Sequence, residues 1–149
     1  RKDLRTKTEV NLIALSVYVE SEVKLLKVGN QLIKSVSYRN ANRGTEDIVS
    51  EISKIGAKEY KVKRNGKEFK LIDTEISYCT VDLYFSEPKN IDAVFSSMYA
   101  EYLNIEEVSP HRYKMSSPKS KDTFYTYKDG KLIIVEIDTS VGRVKCYLI

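Results

Sequence analysis

The residues able to run a reaction are few, and their spacing says little for catalysis. His111 is the single histidine and lies in Ser109-Pro110-His111-Arg112, a turn before a strand pattern. Acid–base work by an imidazole needs an orienting acid and a cleft. Nothing around His111 in the sequence specifies either, so it reads as an exposed turn residue. Cys79 and Cys146 lack the Cys-x-x-Cys spacing of redox and zinc motifs. Cys146 alternates with Val144 and Leu148, and Cys79 falls in an apolar stripe. Both are expected as buried free thiols, since buried cysteine behaves as a small hydrophobe; a disulfide is the other reading. Glu101, Glu106 and Glu107 could supply paired carboxylates, but acids along a strand ordinarily form a solvated face. The chain has no dinucleotide fingerprint, phosphate loop, Gly-x-Ser-x-Gly elbow or His-Glu-x-x-His helix. No catalytic residue, metal or cofactor is therefore expected, and the chain is not read as an enzyme.

Tyrosine is the excess, with 11 residues. Tyr99, Tyr102, Tyr113, Tyr125, Tyr127 and Tyr147 fall in the C-terminal half. Tyrosines can line a sugar or lipid groove, but they also pack against sheets with the hydroxyl satisfied at the edge. Sheet packing is the simpler explanation. The densest basic run, Lys58 to Lys70, surrounds an Asn65-Gly66 turn. Lysines on exposed strands discourage edge-to-edge aggregation, and the net charge of +4 is interleaved with acids, so nucleic acid is not expected as a partner.

Three turn signals share one grammar: Val28-Gly29-Asn30-Gln31, Arg64-Asn65-Gly66-Lys67 and Lys128-Asp129-Gly130-Lys131. Asn-Gly and Asp-Gly tolerate the positive φ that a two-residue hairpin requires, which makes an antiparallel β protein the leading class. From Ile13 the odd positions read Ile13, Leu15, Val17, Val19, Ser21, Val23, Leu25, against Tyr18, Glu20, Glu22 and Lys24 on the even face. This alternation predicts a strand about 43 Å long at ~3.3 Å per residue. Its phase slips near Leu12-Ile13, as a bulge or a stretch covered on both faces would do. Thr45–Gly56 can be read as helix through Ile48, Ile52 and Ile55, or as strand with Ile48, Ser50 and Ile52 on one face; its β-branched content favours strand. Ile76, Cys79, Thr80, Leu83 and Tyr84 recur at helical steps after a Thr74 cap, predicting a short helix over Ile76–Phe85. A further helical turn is expected at Asn90–Phe95, then strands at Glu101–Val108, Arg112–Ser116 and Val141–Leu148.

The expected architecture is mainly β: a strongly curved antiparallel sheet or incomplete barrel with one or two short helices on its concave face. A length of 149 residues fits one domain able to bury a core without staples. No stretch approaches the ~18 apolar residues of a membrane span.

Ile76-Ser77-Tyr78, Leu83-Tyr84-Phe85-Ser86-Glu87-Pro88, Val94-Phe95-Ser96, Tyr113-Lys114-Met115 and Tyr125-Thr126-Tyr127-Lys128-Asp129-Gly130-Lys131-Leu132 together resemble an uncharacterised family of small bacterial envelope proteins, known only as a domain of unknown function. The resemblance runs from about Glu9 to Ile149. It implies an exported protein, periplasmic or secreted, with earlier residues before Arg1. It favours strand over Thr45–Gly56 and carries no assigned reaction. Ala100 stands where the family tends to have glycine, which puts a tight turn there in question.

Two functions follow. In the first, a fold-level analogy with lipoprotein-localisation factors, the apolar wall of Leu15, Val17, Val19 and Val23 and the helical Leu83 hold an apolar or lipid-like molecule. In the second, the core is filled and the chain is a structural or protein-interaction module without a small-molecule ligand. Large exposed apolar patches are rare on monomers, so something must cover that wall.

Overall fold

The computed structural model describes residues 1–12, 15–43, 45–118, 121–139 and 142–148, with the backbone alone for 8–12 and 15–17. Strands dominate. The first sheet runs β1 (Lys2–Leu12), β2 (Leu15–Val28), β3 (Gln31–Ala41), β4 (Ile48–Gly56), β5 (Glu59–Arg64) and β6 (Lys67–Leu71), each beside its neighbour in sequence. The second runs β7 (Ala93–Ser96), β8 (Glu101–Ser109), β9 (Arg112–Ser116), β10 (Asp122–Lys128), β11 (Lys131–Thr139) and β12 (Gly142–Tyr147), also in sequence order. Both are antiparallel meanders. The chain divides into two compact units, one of Arg1–Val81 with Ser96–Glu101 and one of Asp82–Phe95 with Tyr102–Ile149. The single curved sheet expected from the sequence is thus corrected to two six-stranded sheets, neither of them a closed barrel among the described residues.

The turn grammar explains the hairpins. Asn65 and Gly66 have φ of 47° and 80°, and Asp129 and Gly130 have 52° and 75°. Positive φ at both central residues is the type I′ requirement that Asn-Gly and Asp-Gly meet at low cost. Ala100 also adopts a positive φ, 55°, so the tight turn before β8 forms with alanine in place of glycine.

The long strand exists as β2, and its phase slip has a simple origin. β1 ends at Leu12 and β2 begins at Leu15, and these two residues are paired partners. The change of phase therefore separates two strands and is no bulge within one. Val23 and Leu25 are buried and Lys24 is exposed, as the alternation requires. Val19 is half-buried, less deep than expected, and Tyr18, Glu20 and Glu22 are partly covered. Neighbouring side chains supply cover: Arg5 Nη2 on β1 lies 2.9 Å from Glu22, and the Tyr18 hydroxyl donates to Glu20 on the same strand at 2.9 Å. Ile13 and the side chains of Leu15 and Val17 lie outside the described residues. Within Thr45–Gly56 the strand reading holds over Ile48–Gly56, with Ile48, Ser50 and Ile52 buried on one face.

The helix over Ile76–Phe85 does not form; a single 3-10 turn spans Thr80–Tyr84. The apolar stripe was sound, since Ile76, Cys79 and Leu83 are fully buried, but its backbone is committed elsewhere. The Ile76 carbonyl accepts the Leu32 N–H at 2.8 Å, and the Ser77 carbonyl accepts Lys27 Nζ at 2.5 Å. Those bonds come from outside the segment and compete with a helical ladder, and the β-branched Ile76, Thr80 and Val81 are weak helix formers. The helical turn expected at Asn90–Phe95 is likewise corrected, because Ala93–Ser96 is β7.

Val23→Asp forces an unpaired charge against the first sheet's buried face and is expected to cost several kcal/mol, whereas Lys24→Gln next to it stays within about 0.5 kcal/mol. Urea titration of both variants checks the alternation directly.

Candidate functional site

The residues expected to line an apolar groove are divided between the two units. Val19 and Val23 share one face of β2 in the first unit, the former half-buried and the latter buried. Leu83 belongs to the second unit and is fully buried in the 3-10 turn. The side chains of Leu15 and Val17 lie outside the described residues. Cys79 is buried and Cys146 half-buried, and both are free thiols.

In the first unit a tyrosine clasps the segment that follows β6. The Tyr60 hydroxyl donates to the Leu32 carbonyl at 3.0 Å and accepts the Ile76 N–H at 3.4 Å. Tyr60 is fully buried, so this one hydroxyl satisfies groups from two segments that water cannot reach. Arginines do similar work nearby. Arg64 donates to the Met98 carbonyl at 2.7 Å and to Glu46 at 2.8 Å. Arg39 donates to the Tyr99 hydroxyl at 3.2 Å, and both guanidinium groups lie within 6 Å of the Tyr99 ring centroid, at 5.6 and 5.8 Å.

The second unit gathers most of the chemically distinctive groups. Alternation along β9 and β10 buries Tyr113, Tyr125 and Tyr127 on one face. The Tyr127 hydroxyl donates to the Leu83 carbonyl at 2.6 Å. Tyr84 stands edge-on to Tyr125, with centroids 6.1 Å apart, and Tyr113 stands edge-on to Tyr127 at 5.7 Å. Burial pushes the Tyr84 phenol up to about 12 and the Tyr125 phenol well above its ordinary value. Both therefore stay protonated at neutral pH and offer no phenolate.

Three residues after Tyr84, the Glu87 side chain is 3% exposed. Its Oε1 accepts the Tyr113 hydroxyl at 3.0 Å and lies 2.8 Å from His111 Nδ1. Lys89 Nζ is 3.7 Å from Oε2. Burial pushes this carboxyl up, but the bonds from His111 and Tyr113, with the charges of His111 and Lys89, outweigh it and hold it below the usual range. Ser109 and Arg112 are paired partners, so Pro110-His111 is a two-residue turn. His111 has φ of 61° there, the position after proline where a type II turn calls for glycine or asparagine. The strained residue is held by its N–H on Glu107 Oε1 at 2.9 Å and by its ring on Glu87.

His111 is an exposed turn residue, as the sequence suggested, with a side chain 58% exposed. What sequence reasoning missed is its acid. Glu87 lies 24 residues away in the Leu-Tyr-Phe-Ser-Glu-Pro run, and no local periodicity links it to His111. An orienting carboxylate on a solvent-facing imidazole is half of a general-base arrangement. Among the described residues no hydroxyl or thiol is hydrogen-bonded to that ring. The work visible in the geometry is anchoring: the run's Leu83, Tyr84 and Glu87 bind Tyr127, Tyr125 and Tyr113.

The domain of unknown function DUF6134 matches residues 1–148. The chain belongs to this family. No curated protein and no solved structure matches it. The match takes in β1, which the sequence resemblance had left mostly outside.

Two substitutions probe this part of the DUF6134 domain. Tyr127→Phe leaves the buried Leu83 carbonyl without its donor and is expected to cost about 1–3 kcal/mol, read as a lowered urea midpoint. Glu87→Gln tests the carboxylate. A folded-state pKa held low contributes stability that is present above the unfolded value, roughly 4.3, and is lost as pH falls through the folded one. Stability of the parent should therefore fall more steeply than that of Glu87→Gln below about pH 4.3, followed by denaturation at stepped pH.

Proposed function

We propose that this DUF6134 chain is a non-catalytic β module that works through its surface, with apolar interiors filled by its own chain. One observation carries the reading: the tyrosine face of the second sheet is occupied by Leu83, Tyr84 and Glu87, with the Tyr127 and Tyr113 hydroxyls already bonded to them. A greasy ligand entering there would have to displace bonds it cannot replace. Ile76, seated between Leu32 and Tyr60, supports the same reading for the first unit. Placement of the protein in the bacterial envelope or outside the cell belongs to this reading too, supported by the sequence resemblance.

A second reading keeps an apolar or lipid-like ligand along β2. It is supported by Val19, which lies on the apolar face of that strand yet is half-buried where Val23 is sealed. Titration with a fluorescent fatty acid separates the two. The filled module gives no saturable signal. Saturable binding that Val19→Trp abolishes overturns it in favour of a carrier.

A further inference from the structure

One edge of the first sheet is open and matches itself. β6 ends the strand order, and among the described residues no strand lies on its far side. Lys67 to Lys70 are exposed and Leu71 is half-buried. Which backbone groups point out of that edge follows from the turn before it. Arg64 and Lys67 are paired across the Asn65-Gly66 turn, so the Lys67 N–H is directed at the Arg64 carbonyl. Bonding alternates along an antiparallel ladder, so Phe69 and Leu71 also turn their N–H and C=O toward β5. Glu68 and Lys70 are left with theirs pointing away from the sheet.

An open edge takes a strand of matching chemistry, and β6 carries that chemistry itself. When two copies run antiparallel about Phe69, Glu68 of each stands opposite Lys70 of the other. Each such pair exchanges both of its free backbone bonds. Moving to the next register in either direction sets Glu68 against Glu68 or Lys70 against Lys70, and like charges directly opposite are unfavourable. Phe69 meets its own copy in a non-hydrogen-bonded pair, where side chains stand closest. Its ring shares a face with Val62, its buried partner on β5, yet it is 42% exposed, and a second ring covers it. Lys67 stands opposite Leu71 of the copy and can lay its aliphatic stem over that leucine. We propose that two copies of this chain pair through β6 and join their first sheets across a two-fold axis. Within one copy Glu68 meets Lys61 at 3.4 Å and Lys70 meets Glu59 at 2.9 Å. Both pairs are exposed and hold little energy, so they share or release their partners on pairing. Lys61 and Lys63 leave each edge with a surplus of positive charge, which makes the contact weak and dependent on screening by salt.

This pairing rests on the module reading and gives its surface one partner. A chain that stays monomeric and binds no fatty acid overturns the pairing and leaves the module intact. The test is sedimentation in ~0.15 M salt at concentrations up to about 1 mM, with amide shifts of the ¹⁵N-labelled chain followed over the same range. A reversible dimer is expected, with the concentration-dependent shifts clustered on Lys67–Leu71. Lys70→Glu sets a carboxylate against Glu68 on both sides of the axis and should weaken dimerisation about tenfold. Lys70→Gln, a milder change at the same exposed site, should give a smaller loss. Glu68→Lys combined with Lys70→Glu restores opposite charges in the same register and should return dimerisation to the parent's strength. Unchanged melting curves check that the variants fold. A monomer throughout the range overturns the proposal. So does a dimer that Lys70→Glu leaves unchanged, that the folded double variant fails to restore, or whose shifts lie outside β6.

Discussion

A buried stretch of backbone outside helix and strand must find a partner for every N–H and C=O, or lose the cost of desolvating it. The segment from Ile72 to Asp92, which joins the two sheets in sequence, lives under that constraint. It contains no element longer than the five-residue 3-10 turn, yet Ile76, Cys79, Val81 and Leu83 are almost fully buried. Part of the solution is backbone and lysine donors to Ile76 and Ser77, and part is tyrosine. Tyr60 supplies one hydroxyl to the beginning of the segment and Tyr127 another to Leu83. A phenylalanine at either place would pack as well and leave polar atoms stranded. Tyr60, Tyr113 and Tyr127 thus serve an irregular interior, and edge-on ring contacts add packing of their own.

Features governed by neighbours in sequence were legible in advance. The Gly-Asn, Asn-Gly and Asp-Gly turns fixed three hairpins, because a positive φ is a local demand. Alternation along β2 located Val23 and Leu25 inside, because period two is a property of the strand itself. The segment Ile76–Phe85 was misread because two patterns coincide there. Its apolar spacing is helical, but the hydrogen bonds that decide its backbone come from Leu32, Lys27 and Tyr60, up to about fifty positions away. The Glu87–His111 pair was hidden for the same reason. Each residue is unremarkable in its own neighbourhood, and only the arrival of β9 beside the Glu-Pro run gives either a role.

Charge on the outer faces is settled in pairs. Lys61 meets Glu68, Lys70 meets Glu59 and Lys34 meets Glu51 across neighbouring strands, and Arg64 meets Glu46, so part of the basic run around Asn65-Gly66 is compensated where it stands. On the second sheet Arg112 and Lys145 converge on Glu136, which is nearly buried, and the hydrogen bond from Arg112 is the main reason its carboxyl is held below the ordinary range. Phe124 lies between Arg112 and Arg143, each guanidinium 4.5 Å from its ring centroid. Exposed pairs of this kind contribute little individually.

The meander has a kinetic side. Every strand in both sheets pairs with the strand before or after it, so closing each pair spans only a short loop and the entropy lost at each step is small. Topologies dominated by local pairing fold faster than those built on distant crossovers. Each of the Asn-Gly and Asp-Gly hairpins is a self-contained starting point, from which a sheet can extend strand by strand in either direction. The tyrosine bond to Leu83 spans 44 residues in sequence, so closing it costs more chain entropy than closing any of the hairpins.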